Sequence, residues 1–139
     1  MKRRKFLLQS SMAGTAFIVS KYGFGQQNDF ANVRVPEGAR HFKSEAVERL
    51  ILQVQKDIGN KEMGWLFNNC FPNTLDTTVE FEVVNGKPDT YVITGDIDAM
   101  WLRDSSAQVW PYLPLMKDDA HLQELIQGVI NRQTKCILL

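Results

Sequence analysis

Residues 94–114, TGDIDAMWLRDSSAQVWPYLP, decide how this chain is read. They hold three carboxylates (Asp96, Asp98, Asp104), an arginine (Arg103), two tryptophans (Trp101, Trp110) and a tyrosine (Tyr112). No other stretch is so dense in groups that bind, orient or protonate a polar ligand. A core-packing reading puts Met100 and Trp101 in a hydrophobic gap and pairs Arg103 with an aspartate. The residues around Trp101 are polar and lack the helical period of a core stripe, which favours a site.

The flanks supply rigid elements on both sides. Upstream, TTVEFEVV (77–84) alternates apolar Val79, Phe81 and Val83 with Glu80 and Glu82. That pattern is a strand with one wet face. Asn85-Gly86 signals a hairpin, and Lys87-Pro88 predicts a loop longer than two residues. TYVIT (90–94) is the return strand, and it delivers the chain into Gly95-Asp96. A loop that leaves a rigid strand holds its side chains in place, as a site requires. Downstream, Asp118 or Asp119 is placed to cap a long helix. Its expected apolar face is Leu122, Leu125, Ile126, Val129, Ile130, Cys136 and Ile137, with Gly128 an interruption of modest cost.

Before the hairpin, Ser44 is a candidate N-cap, followed by Glu45 in the first turn. Val47, Leu50, Ile51, Val54 and Ile58 form one apolar stripe, and Gly59 stands where a helix stop belongs. Lys61 to Asn69 predicts a shorter helix, which Phe71-Pro72-Asn73-Thr74 breaks. Residues 26–42 read as a linker or arm, with Val33 and Val35 a short edge strand before the Pro36-Glu37-Gly38 turn.

Residues 1–25 read as an export signal. Lys2-Arg3-Arg4-Lys5 is a positive start, and Phe6 to Val19 is apolar but diluted by Gln9, Ser10, Ser11, Gly14 and Thr15. Gly23-Phe24-Gly25 offers a cleavage site. The apolar part is too short and polar to span a bilayer, so no stable membrane anchor is expected. RRKFLL resembles a twin-arginine address, with an ordinary secretory signal the alternative. Either places the protein in the periplasm or outside the cell, with the export machinery as a partner. Five of the 16 basic residues precede Asp29, the first acidic residue; the remaining 11 face 16 acidic ones, a balance of about −5. That excess argues against a nucleic-acid partner.

Cys70 and Cys136 lack CxxC spacing and His41 and His121 are isolated, so no zinc site is expected. Cys136 reads as a small buried hydrophobe on the helix face. Asp96 and Asp98 are too few for an oxygen-ligand metal site, and no metal or other cofactor is expected. Asp104 suits a helix N-cap for a helix running toward Tyr112. A carboxylate there can still accept from a substrate hydroxyl. Arg103 offers a fork of donors to vicinal hydroxyls, and Trp101 an apolar plate for the C–H face of a pyranose.

FPNTLDTTV, GKPDTYVITGDI and AMWLRDSSAQVWPYLPL resemble the N-terminal part of the glycoside hydrolase family 125 α-mannosidases. The resemblance runs from about Phe42 to the end, and its core is TGDI-x-AMWLRDS. It implies a mainly α fold: an (α/α)₆ toroid in the full-length family, here its N-terminal helices plus a β-hairpin over residues 43–139. It implies exo-acting, inverting hydrolysis of α-1,6-linked mannose in a glycan or oligosaccharide, without a metal. Inversion needs an acid and a base on opposite faces of the sugar. The resemblance puts both beyond Leu139, so none of the catalytic pair is expected here. Asp96, Trp101, Arg103, Asp104 and Gln108 would line the terminal-mannose subsite. Asp98 stands where the family's proline is expected, which adds flexibility and charge to the loop. The helix running uncapped to Leu139 suggests a truncated chain, inactive alone. The alternative is a non-catalytic carbohydrate-binding or interaction protein derived from that fold.

Overall fold

The computed structural model describes residues 30–96 and 99–138. The export signal, the start of the 26–42 arm and Asp98 lie outside the described residues. The elements below belong to the unit Ala31–Leu139.

Helix α1, Glu45–Asp57, starts where its cap places it: the Ser44 hydroxyl accepts from the Val47 amide at 3.3 Å. Val47 and Ile51 are buried, whereas Ile58 at the end of the stripe is exposed. Gly59 has φ +59°, the left-handed conformation that ends a helix. Helix α2, Lys61–Cys70, is capped by Asn60, whose side-chain oxygen accepts from Met63 N at 3.1 Å. The expected break at Phe71-Pro72 is only a corner. Helix α3, Asn73–Thr77, follows at once, and the Pro72 carbonyl accepts from Asp76 N at 2.9 Å.

Strands β1, Val79–Val84, and β2, Lys87–Val92, pair antiparallel with Val84 opposite Lys87. The loop is therefore two residues, shorter than Lys87-Pro88 suggested. Asn85 and Gly86 both take positive φ, the turn that matches strand twist. Pro88 sits inside the strand opposite Val83, one step from the closing pair, where a missing N–H breaks no rung of the ladder. The alternation decays toward the tip: Val79 is buried, Phe81 half-buried and Val83 62% exposed.

Helix α4, Leu102–Val109, then passes into a 3₁₀ helix at Trp110–Asp118 that contains Pro111 and Pro114. Trp101, not Asp104, is the N-cap, and it makes no side-chain cap. Asp104 lies in the first turn, where a negative charge still meets the positive end of the helix. Burial pushes the Tyr112 phenol up to about 12, and its hydroxyl donates to the Phe71 carbonyl at 2.5 Å.

Helix α5, Ala120–Leu138, packs along β2. Leu122, Leu125, Ile126 and Val129 are buried as expected, but Ile130, Cys136 and Ile137 are exposed. The stripe continues by helical spacing through Gln133, which turns toward α4. Asp89 on β2 is buried and takes ion pairs from Arg132 and Lys135. Asn131 donates to the Pro88 carbonyl at 2.7 Å, and Thr90 donates to the Leu125 carbonyl at 2.8 Å. The core joins Phe42 and α1 to Leu75, Val79, Val92, Val109, Tyr112 and the buried face of α5.

The segment before α1 forms no strand at Val33 and Val35; it has a 3₁₀ turn at Glu37–Ala39. Charge anchors it. Arg34 donates to both Asp76 oxygens, at 2.6 and 3.1 Å, and to both Glu48 oxygens, at 2.9 and 2.6 Å. Burial opposes the Arg34 charge, yet its bonds to Asp76 and Glu48 hold its pKa above the ordinary value. The Arg34 bond, offset in part by burial, holds the Glu48 carboxyl below the usual range.

Asp119 serves two helices. One oxygen accepts from Leu122 N at 3.0 Å and caps α5. The other accepts from the Ser44 hydroxyl at 2.6 Å and Ala46 N at 3.2 Å, at the start of α1. Partial burial works against its charge, but these donors outweigh it and the carboxyl sits below its usual range. A depressed carboxylate stabilises the fold above its unfolded pKa, and the contribution fades as pH falls through the folded value. Melting temperature should therefore fall between about pH 5 and pH 2, the range a depressed carboxyl spans. Asp119→Asn cannot accept at both positions, so it should cost about 1 kcal/mol at pH 7 and flatten that acid slope. Melts of the two proteins across this range check it; identical slopes would remove Asp119 from the account.

Candidate functional site

The loop from β2 to α4 opens onto a cavity of about 260 Å³ lined by Thr94, Gly95, Asp96, Trp101 and Asp104. β2 sets the first wall because Val92 is fully buried beneath it. The first turn of α4 sets the second. Asp96 is exposed, Asp104 half-buried, and the Trp101 indole 56% exposed. Two acidic residues and a tryptophan thus line one small space.

Three of the five residues expected in the site line this cavity: Asp96, Trp101 and Asp104. Arg103 is exposed and pairs with no carboxylate among the described residues, and it does not line the cavity. Its place beside Asp104 in the first turn of α4 leaves its guanidinium on the solvent side. Gln108 is a turn further on, half-buried, and its side-chain oxygen accepts from the Thr78 hydroxyl at 3.4 Å. That contact ties α4 to the start of β1, away from the cavity.

Gly95, at the strand end expected to present a site, and Thr94, not expected as a site residue, also line the cavity. Thr94 donates to the Ala99 carbonyl at 2.9 Å and accepts from Trp101 N at 3.1 Å. Gln133, also unforeseen, places its side-chain nitrogen on α5 at 3.0 Å from the Leu102 carbonyl and 2.9 Å from each of the Ser105 and Ser106 hydroxyls, and its two N–H groups are shared among these three acceptors. Its one sequence signal was a polar residue on an apolar stripe.

The arrangement accepts hydrogen bonds at Asp96 and Asp104 and offers an apolar face at Trp101, a combination suited to a hydroxylated ring. Residues 60–139 match the family of metal-independent alpha-mannosidases, GH125. More than half of the chain is matched, so it is of the glycoside hydrolase class. More narrowly, it belongs to GH125. It is similar to the Meiotically up-regulated gene 157 protein of Schizosaccharomyces pombe, at 43% identity over 106 residues. The alignment covers 76% of this chain and 21% of that protein, so the chain spans about a fifth of its curated relative's length.

Proposed function

We propose that the cavity at Asp96, Trp101 and Asp104 forms part of the terminal-mannose subsite of an exo-acting, inverting α-1,6-mannosidase. The supporting observation is the convergence of two carboxylates and an indole on one cavity within the matched residues. Asp104 accepts from a substrate hydroxyl at the first turn of α4, where helix polarity favours its negative charge. Trp101 carries the C–H face of the ring. In this reading Arg103 adds donors from the solvent side of the same turn, and Gln108 acts from outside the cavity by holding α4 to the residue before β1. In this reading Asp96, Asp98 and Asp104 are neither the general acid nor the general base, a role that the family resemblance assigns to other residues.

Release of mannose from α-1,6-linked mannobiose by the intact natural protein tests the reading. Asp104→Asn should raise KM about tenfold, the worth of a charged hydrogen bond, and leave the acid limb of the pH profile in place. Loss of that limb would make Asp104 the acid, and no mannose release at all would remove the α-1,6 specificity.

The N-terminal residues carry export in this proposal. Replacing Arg3 and Arg4 with lysine should block twin-arginine transport; unchanged export would assign the ordinary secretory route.

A further inference from the structure

Trp101 is more than half exposed, so little packing holds its indole, and its position is set largely through the backbone. Trp101 is the N-cap of α4, and its carbonyl already accepts from Ser105 N at 2.9 Å. Its own N–H lies outside the helical pattern, and the partner it finds is Thr94, two residues past the end of β2. The same hydroxyl donates to the Ala99 carbonyl. We propose that Thr94 is a positioning residue of the site: its hydroxyl ties the end of β2 to the start of α4 and so sets where Trp101 stands relative to Asp96 and Asp104.

A hydroxyl has one proton to donate. Thr94 gives its proton to Ala99, so it has none for a ligand, and its effect on binding passes through Trp101. From the other side, Gln133 holds Leu102, Ser105 and Ser106. The first turn of α4 is thereby fixed between a strand end and a helix. With Gln133 alone the turn stays attached to α5, but Trp101 loses its register with Thr94 at the end of β2.

This inference rests on the saccharide reading of the site. The test is calorimetric titration of the intact protein with mannose, the monosaccharide that a terminal-mannose subsite holds and the protein does not consume. Thr94→Val keeps the shape and removes both bonds. It should weaken binding about fivefold to tenfold, as the loss of one or two hydrogen bonds does. Thr94→Ser should restore most of that loss. In a Trp101→Ala background, Thr94→Val should have no further effect, because residues acting through one another are not additive. Unchanged affinity in Thr94→Val, or full additivity with Trp101→Ala, overturns the proposal. If Trp101→Ala and Asp104→Asn both leave affinity untouched, the saccharide reading itself fails. Hydrogen exchange of the Trp101 amide then decides the tie alone: faster exchange in Thr94→Val supports it, and unchanged protection overturns it.

Discussion

Replacing Asp76 with alanine is expected to destabilise the fold by about 3–5 kcal/mol, the cost of stripping one partner from a buried ion pair. The Asp76 side chain is 2% exposed and that of Arg34 is 6% exposed, so neither has water to fall back on. Asp76 takes a two-pronged contact from Arg34, and Arg40 Nε lies 3.7 Å from its Oδ1. Without Asp76, Arg34 keeps only Glu48, which is itself one-third exposed. The Arg34 segment reaches α3 through Asp76 and α1 through Glu48, so its anchor fails at the same time. Two further contacts, Trp65 Nε1 to the Ala31 carbonyl at 2.6 Å and Val33 N to Asn69 at 3.2 Å, lie near the surface. They cannot replace it. Urea unfolding measures the loss as a shift in midpoint at constant slope. Pairing Asp76→Leu with Arg34→Met should recover much of it, since an apolar pair leaves no orphaned charge. A single-variant cost below about 1 kcal/mol would place the pair among surface ion pairs, contrary to its burial.

The second large effect is expected at Gly128. On an exposed helix a change to alanine would gain up to about 1 kcal/mol from helix propensity. Here the sign reverses. A Cβ on Gly128 would stand 2.2 Å from Thr90 Oγ1, 2.9 Å from Thr90 N and 3.0 Å from the Asp89 carbonyl carbon. Thr90 is fully buried and its hydroxyl is committed to the Leu125 carbonyl, so it cannot swing away freely. The strand backbone cannot yield without shifting the hairpin. Gly128→Ala should therefore cost about 3 kcal/mol, the upper end for overpacking. Adding Thr90→Ala removes the shortest contact but leaves the two backbone ones, so recovery should be partial. Equal or greater stability of Gly128→Ala in urea unfolding would show that α5 does not pack this tightly. Because β2 ends at the candidate site, a displaced α5 should also weaken saccharide binding in that variant.

Much of this fold is legible by eye. Ser44 and Asp119 are caps because their short side chains offer an acceptor one turn ahead, a local property of three or four residues that Asn60 shares, although its cap was not read from sequence. Asn85-Gly86 fixes the hairpin because both residues tolerate positive φ. The carboxylates and indole of the site were legible as chemistry, since Asp96, Trp101 and Asp104 sit within nine residues of chain. Other features were not. Pro88 looked like loop until the register put it at an unbonded position. Cys136 and Ile137 looked like core, but beyond Lys135 no described element covers that face of α5.

Local sequence therefore determined the long helices and the hairpin, the caps at Ser44 and Asp119 and the Asn85-Gly86 turn, and which residues could bind a hydroxylated ligand, but not the short helix α3 or the cap of α4. Those are decided by side-chain reach and backbone preference within one or two turns. Only the tertiary structure decided that Asp119 bridges the start of α5 and Ala46, 73 residues earlier, that the Arg34 side chain is buried and anchors its segment, and that Gly128 is a contact rather than a flaw. It also separated Asp96, Trp101 and Asp104 from Arg103 and Gln108. Neighbours on a helix point in different directions, and which of those directions holds a cavity depends on where the strand end stands. That placement comes from the burial of β2 against α5, a contact made across residues far apart in the chain.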